Sequence, residues 1–321
     1  VNKTDLLLHI GYQKTGTSWL QTHLFNNHAI GFCAPFTRPE IKKAIAFPSP
    51  LDFDSEQCRA YFDPGLRKAR AEGSVPVISR ERLSGAFFGG GYDSKELAER
   101  LAMVFPRAKV LLIIREQKSM LLSSYTQSIR TGCVYTLREY LSLNERQDPR
   151  LPLFGLKRFC YHRLIETYYS LFGKENVLVL PYEMFGAAPQ SYVQTIATFA
   201  GIHSAEAKIA DLSYTQRVNQ AQSAVTIQIK RRLNQWMIRH IELNPTTILP
   251  ITINNQRAKR WLPKIDRVIP KGIKDRVEQD CKTMIASHVA GYYQQSNSCT
   301  SNLINMDLAQ YGYDLPSKKV E

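Results

Sequence analysis

Leu6-Leu7-Leu8-His9-Ile10-Gly11-Tyr12-Gln13-Lys14-Thr15-Gly16-Thr17-Ser18-Trp19-Leu20-Gln21 is the stretch on which the fold of this chain turns. A short apolar run leads into a glycine-bearing segment, after which Trp19, Leu20, His23 and Leu24 fall on one helical face. Strand, loop and helix in that order turn backbone N–H groups and a helix N-terminus toward an anion. Lys14 sits inside the loop, and Thr15, Thr17 and Ser18 surround it with hydroxyls. Such a loop is built to hold a phosphate.

Its spacing differs from the nucleotide-binding pattern G-x-x-x-x-G-K-[ST]. Gly11 and Gly16 are correctly separated, but Thr17 stands where the lysine belongs, and the lysine has moved forward to Lys14. Ordinary magnesium–ATP chemistry loses its usual anchor in this arrangement. A lysine at the front of the loop would instead lie over the bridging oxygen of a 5′-phosphate and neutralise charge on a leaving phosphate.

Working outward, apolar strand-like runs recur at Leu6–Ile10, Val75–Ile78, Val110–Ile114 and Val177–Leu180. Each is followed by a segment of helical period, as in a parallel sheet with helical crossovers. Helices are expected over 94–104 from a Ser94 cap, 157–172, 189–200 and 221–238, and along a face made by Met284, Ile285, His288, Val289, Tyr292 and Tyr293. Gly173 reads as a helix stop. The fold class is therefore α/β: a parallel sheet flanked by helices, related to the P-loop architecture, in a single domain over 1–321. Two stretches break the repeat. Residues 30–70 look loop-rich, and 203–270 are basic and mixed. Both read as insertions covering the C-terminal ends of the strands, where ligands bind in open α/β sheets.

The 321 residues carry a formal net charge of +14. That balance suits nucleotides, nucleic acid, acidic glycans or a peripheral membrane contact, and equally a merely soluble surface. Nucleic acid is not the expected partner, because the basic residues form no single tract and no aromatic-interleaved RNA-binding signature accompanies them. Arg217, Lys230, Arg231, Arg232, Arg257, Lys259 and Arg260 suggest an acidic or extended ligand at 203–270, although a solvated basic face would look the same. No run approaches the roughly 18 apolar residues of a membrane span. The opening residues lack a secretory apolar core, so a soluble cytoplasmic protein is expected. Six scattered cysteines and seven unclustered histidines suggest reduced thiols and no metal site.

A second phosphate element begins where the third long strand ends, at Ile114-Arg115, and continues to Ser123 and Tyr125. An arginine leaving a buried strand and a serine eight residues later can converge on a further anion, the one as a planar fork and the other as a short donor. Alone, such an arginine could simply cap a strand end. Together, the two segments resemble the sulfotransferases that use 3′-phosphoadenosine-5′-phosphosulfate (PAPS), especially bacterial and glycan-modifying members. Lys14-Thr15-Gly16-Thr17-Ser18-Trp19 is similar to that family's 5′-phosphosulfate loop, which usually follows Tyr-Pro where this chain has Tyr12-Gln13. Arg115 and Ser123 match its 3′-phosphate motif. Val179-Leu180-Pro181-Tyr182-Glu183 is similar to the strand whose tyrosine approaches adenine, and Ser296-Asn297 and Tyr311-Gly312-Tyr313 to its ending. No Arg-Lys-Gly element is recognisable near the C-terminus, which argues against the small-molecule branch.

The resemblance implies PAPS as co-substrate, no metal, and transfer of a sulfuryl group to a hydroxyl or amine of a glycan, glycolipid or small alcohol. It assigns Lys14 to the leaving phosphate and Thr15, Gly16, Thr17, Ser18 and Trp19 to the 5′-phosphate loop. Trp19 would stack on adenine or, by its spacing with Leu20 and Leu24, belong to the core. Tyr182 would lie by the adenine. Ser123 would grip the 3′-phosphate with Arg115 and restrain Lys14. An acceptor hydroxyl needs a general base, and Glu81, following Ser79-Arg80 at the same sheet edge, is the candidate. Its neighbours Arg80 and Arg82 would either pair with carboxylates or grip an acidic acceptor. His9, His23 and His28 are placed less well. The competing readings are a P-loop-like kinase or NTPase, which would need a magnesium-binding carboxylate after a buried strand, and a non-catalytic nucleotide- or RNA-binding protein.

Overall fold

The computed structural model describes residues 4–143, 154–214, 223–237 and 255–317. Five strands form an all-parallel sheet: β1 (Leu7–His9), β2 (Phe32–Cys33), β3 (Val75–Ser79), β4 (Lys109–Ile114) and β5 (Val177–Pro181), in the spatial order β2-β3-β1-β4-β5. The apolar runs are continuous because both sheet faces are covered. One face sets Leu7, Val77, Leu111, Ile113 and Leu180 against Leu20 and Leu24 and against Val193 and Ile196 of the helix Pro189–Phe199. Leu8, Ile10, Ile78, Leu112 and Ile114 are buried as well.

The chain divides into two compact units, one drawn from 1–116, 157–218 and 293–321, the other from 117–156 and 219–292. The first holds the sheet. The second is helical, with Gln117–Thr131, Leu137–Leu141, Ala224–Met237, Asn255–Val268 and Lys271–His288. There Asn234 Nδ2 donates to the carbonyls of Ile129 (2.7 Å) and Cys133 (2.9 Å), and Arg231 Nη1 donates to that of Val134 (3.2 Å). Lys230 and Arg231, read from sequence as part of a ligand-directed or solvated basic face, are buried, and Arg231 braces this packing. Arg217, and the side chains of Arg257, Lys259 and Arg260, lie outside the described residues.

Several boundaries differ from the sequence reading. The 30–70 stretch is not mostly loop: it contains β2 and the 17-residue helix Ser55–Ala71, capped by Asp54, whose carboxylate accepts from the Glu56 and Gln57 amides. Pro64 and Gly65 inside that helix hide its period, while Cys58, Phe62, Leu66 and Ala69 form its buried stripe. Ser94 is the first helical residue rather than the cap, and its hydroxyl turns back to the Ser84 and Gly91 carbonyls. The 157–172 helix starts at Tyr161, after a 3₁₀ turn over Leu156–Phe159. The face from Met284 to Tyr293 breaks after His288, where Gly291 takes φ +71° before the helix Gln294–Ile304 begins. Gly173, at φ +82°, ends its helix as read. Among the described residues no helix is long and apolar enough to cross a membrane.

Candidate active site

The loop after β1 leaves at the C-terminal edge of the sheet. Beyond His9 the backbone stays beside β4, with Ile10 and Tyr12 amides donating to Leu111 and Ile113 carbonyls (3.1 and 3.2 Å). Gly11 eases that approach, since a Cβ there would lie 3.1 Å from both His9 Nε2 and Ile113 Cβ and these would have to give by a few tenths of an ångström. The chain then reverses through two left-handed residues, Lys14 (φ +72°) and Gly16 (φ +77°). The first is strained, because a side chain rarely occupies that region, and such strain clusters at ligand clamps. Helix begins at Thr17 and opens into a π-turn over Leu20–Leu24.

The loop hydroxyls divide their work. Thr15 Oγ1 donates to the Tyr12 carbonyl (2.5 Å) and so closes the loop on itself. Thr17 Oγ1, at the first helical position, is buried with no hydrogen-bond partner. Ser18 is half-buried. Trp19 takes the core alternative. Its ring stacks on Tyr214 (5.3 Å between centroids), its Nε1 donates to the Ser213 carbonyl, and its amide is held by the Gly16 carbonyl (2.9 Å). The indole is 6% exposed.

Arg115 meets this loop directly. Its Nη1 donates to the Lys14 carbonyl (2.8 Å), and its guanidinium lies 5.3 Å from the Tyr182 ring centroid. That ring is also pressed on Gly16, where a Cβ would come within 2.8 Å of Tyr182 Cε2. Arg115 therefore touches the Lys14 backbone and the Tyr182 ring, and Tyr182 the Gly16 backbone, at the ends of β1, β4 and β5. The Arg115 backbone is fixed in turn: Tyr161 hydroxyl donates to its carbonyl (2.6 Å), and the next amide, of Glu116, donates to Glu183 Oε1 (3.0 Å). Tyr313 hydroxyl donates to Glu183 Oε2 (3.3 Å), which gives the C-terminal Tyr-Gly-Tyr a structural task. Burial pushes the Glu183 carboxyl up, opposed by the Glu116 amide, the Arg115 charge and the Tyr313 hydroxyl. Ser123 is half-buried on the helix Gln117–Thr131 of the second unit.

Glu81 opens a 3₁₀ turn, Glu81–Ser84, directly after β3, where the Arg80 amide donates to the His9 carbonyl (3.1 Å). Its Oε1 pairs with Arg80 Nη1 at 3.3 Å, and its Oε2 is buried without a hydrogen-bond partner. The two flanking arginines part company, because Arg82 pairs with Asp93 instead. Gln13 Nε2 donates to the Glu81 carbonyl (3.4 Å), so this turn adjoins the loop. His9 serves packing: it is fully buried, Nδ1 bonds Ser79 Oγ (2.7 Å), and desolvation lowers its pKa to about 3.

Sequence reasoning missed Arg158, Tyr161 and Glu183, which act through distant backbone groups and leave no periodic signal. All six cysteines are free thiols. Among the described residues no cluster of three or more His, Cys, Asp or Glu side chains is placed to hold a metal ion.

Comparison with known proteins shows the family. No protein of curated function matches the chain by sequence. The solved sulfotransferase from Alicyclobacillus acidocaldarius aligns over 97% of this chain and 100% of its own, with a TM-score of 0.54 and 16% identity, and so shares the fold. A sulfotransferase domain from the curacin biosynthetic pathway (12% identity, 98% and 99% coverage, TM-score 0.40) and mouse sulfotransferase SULT7A1 complexed with PAP (16%, 89% and 86%, 0.33) align more loosely. The sulfotransferase domain family model matches residues 3–240, most of the chain and the whole of the loop and strand ends just described, and the chain therefore belongs to the sulfotransferase domain family.

Proposed function

We propose that this sulfotransferase moves a sulfuryl group from PAPS to a hydroxyl or amine of a carbohydrate or glycolipid. What supports this reading is the Arg115–Lys14 junction, where Arg115 donates to the Lys14 carbonyl and lies over the Tyr182 ring, so that the arginine adjoins the lysine-bearing loop. A nucleotide with separate 5′ and 3′ phosphates could then set one phosphate at the loop and the other at Arg115.

In this reading Thr17, Ser18 and the amides that follow Gly16 hold the 5′-phosphate, and Arg115 with Ser123 takes the 3′-phosphate. Tyr182 lines the nucleoside side. Glu81 accepts the acceptor's proton as its oxygen attacks sulfur. The sulfur–oxygen bond to the phosphate breaks in line, and Lys14 stabilises the charge left on that oxygen. Such transfer rests on positioning and charge stabilisation, as in phosphoryl transfer. A carbohydrate acceptor is supported by a carboxylate rather than a histidine at the candidate base position, Glu81.

The test has two stages. Adenosine 3′,5′-bisphosphate (PAP) should raise the melting temperature and ATP with magnesium should not; the reverse preference would favour a kinase. Transfer from ³⁵S-labelled PAPS to a panel of glycans, glycolipids and small alcohols then identifies the acceptor. Labelling of small alcohols alone would defeat the carbohydrate assignment.

A further inference from the structure

We propose that Gln13 and Arg158 form a positioning strut that locks the Glu81 turn to the Lys14 loop and so sets the distance between base and leaving group; this rests on the catalytic reading above. The side-chain amide of Gln13 is engaged at both ends. Nε2 donates to the Glu81 carbonyl (3.4 Å), and Oε1 accepts from Arg158 Nη2 (3.1 Å). Arg158 also reaches the far end of the same turn, donating from Nη1 to the Ala86 carbonyl (2.6 Å) and from Nη2 to that of Gly85 (3.3 Å). Its own carbonyl accepts from Tyr12 hydroxyl (3.2 Å), and its guanidinium lies 5.5 Å from the Tyr12 ring centroid. Arg158 thus contacts consecutive residues of the loop, Tyr12 and Gln13, and the 85–86 end of the segment, while Gln13 holds its Glu81 end.

The site is shaped for this. Arg158 is 8% exposed, and Gly91, at φ +73°, sits where a Cβ would fall 2.8 Å from its Nη1, so the turn leading to the helix Ser94–Val104 favours glycine there. A guanidinium offers five donors in a rigid plane, which a lysine cannot reproduce. Proline is usual before the lysine in the family that the loop resembles, and it would stiffen the backbone without reaching Glu81. Glutamine here converts loop stiffness into a link to the base.

Placement of reacting groups to within about an ångström can be worth ~100-fold in rate. Gln13→Ala should therefore lower kcat roughly tenfold or more while PAPS KM and PAP affinity stay within about twofold. Gln13→Glu keeps the acceptor for Arg158 and loses the donor to Glu81, and should match Gln13→Ala in kcat. Arg158→Lys should show the same split with a larger loss. Hydrogen exchange at residues 81–86 supplies a readout independent of turnover: amides there should exchange faster in Gln13→Ala than in the wild-type protein. Unchanged exchange overturns the strut even if the wild-type protein transfers no sulfuryl group, an outcome that would separately refute the catalytic reading. If exchange rises and the wild type is active, unaltered kcat in Gln13→Ala overturns the positioning role, as would equal losses in kcat and PAP affinity.

Discussion

Replacing His9 with asparagine should flatten the loss of stability between about pH 7.5 and pH 5, because His9 is a histidine that folding keeps neutral. Desolvation lowers its pKa from 6.5 to about 3. Between those values the unfolded chain binds a proton that the folded chain refuses, so stability rises with pH across the window. The contribution is complete above about pH 6.5, is lost progressively as the pH falls, and has gone by about pH 3. A pH of 5 lies 1.5 units below the ordinary imidazole pKa of 6.5 that the unfolded chain keeps; at ~1.36 kcal/mol per unit, that removes ~2 kcal/mol. The figure is insensitive to the folded value, which need only lie well below 5. No screening discount applies, since the ring is fully buried against Phe25, with Nδ1 on Ser79 Oγ. Asparagine can keep a bond to Ser79 and cannot titrate. Urea unfolding followed by circular dichroism at the two pH values, in both proteins, isolates the effect, because carboxylate titration is common to both. An identical pH slope in His9→Asn, or a folded-state His9 resonance titrating near pH 6.5, would refute the reasoning.

Other outcomes follow from the site. Arg115→Ala should weaken PAP binding roughly 10- to 100-fold, the worth of a charge-assisted hydrogen bond, with a smaller effect on adenosine 5′-phosphosulfate; equal losses by calorimetry would contradict the 3′-phosphate role. Gly16→Ala forces a side chain into left-handed backbone at about 1–2 kcal/mol and drives a methyl into Tyr182, so the melting temperature should drop and the PAP-induced shift should shrink. Retention of both would show that the ring is free to move. Glu81→Gln should lower kcat about 100-fold or more, the usual scale of general-base catalysis, with PAP affinity unaltered; full turnover would move the base elsewhere.

What the sequence by itself determined is local. The apolar runs had to be buried strands, the segment from Gly11 to Ser18 had to be a loop feeding a helix, and Arg115 had to leave a strand end, because burial, glycine and charge act on near neighbours. Short or interrupted elements escaped it. β2 has two residues, too few for a period, and the helix Ser55–Ala71 carries Pro64 and Gly65 within it. Only the tertiary structure decided that Trp19 belongs to Tyr214 and the core, that Arg82 answers Asp93 while Arg80 answers Glu81, and that Arg115 closes on the carbonyl of Lys14, 101 residues away in the chain. The physical reason is plainest for Arg115 and Lys14: they meet because the parallel order β2-β3-β1-β4-β5 sets the ends of β1 and β4 side by side, and adjacency across a sheet is not a property of any window of sequence. Trp19 and the two arginines had several candidate partners within reach of the sequence, and packing chose among them.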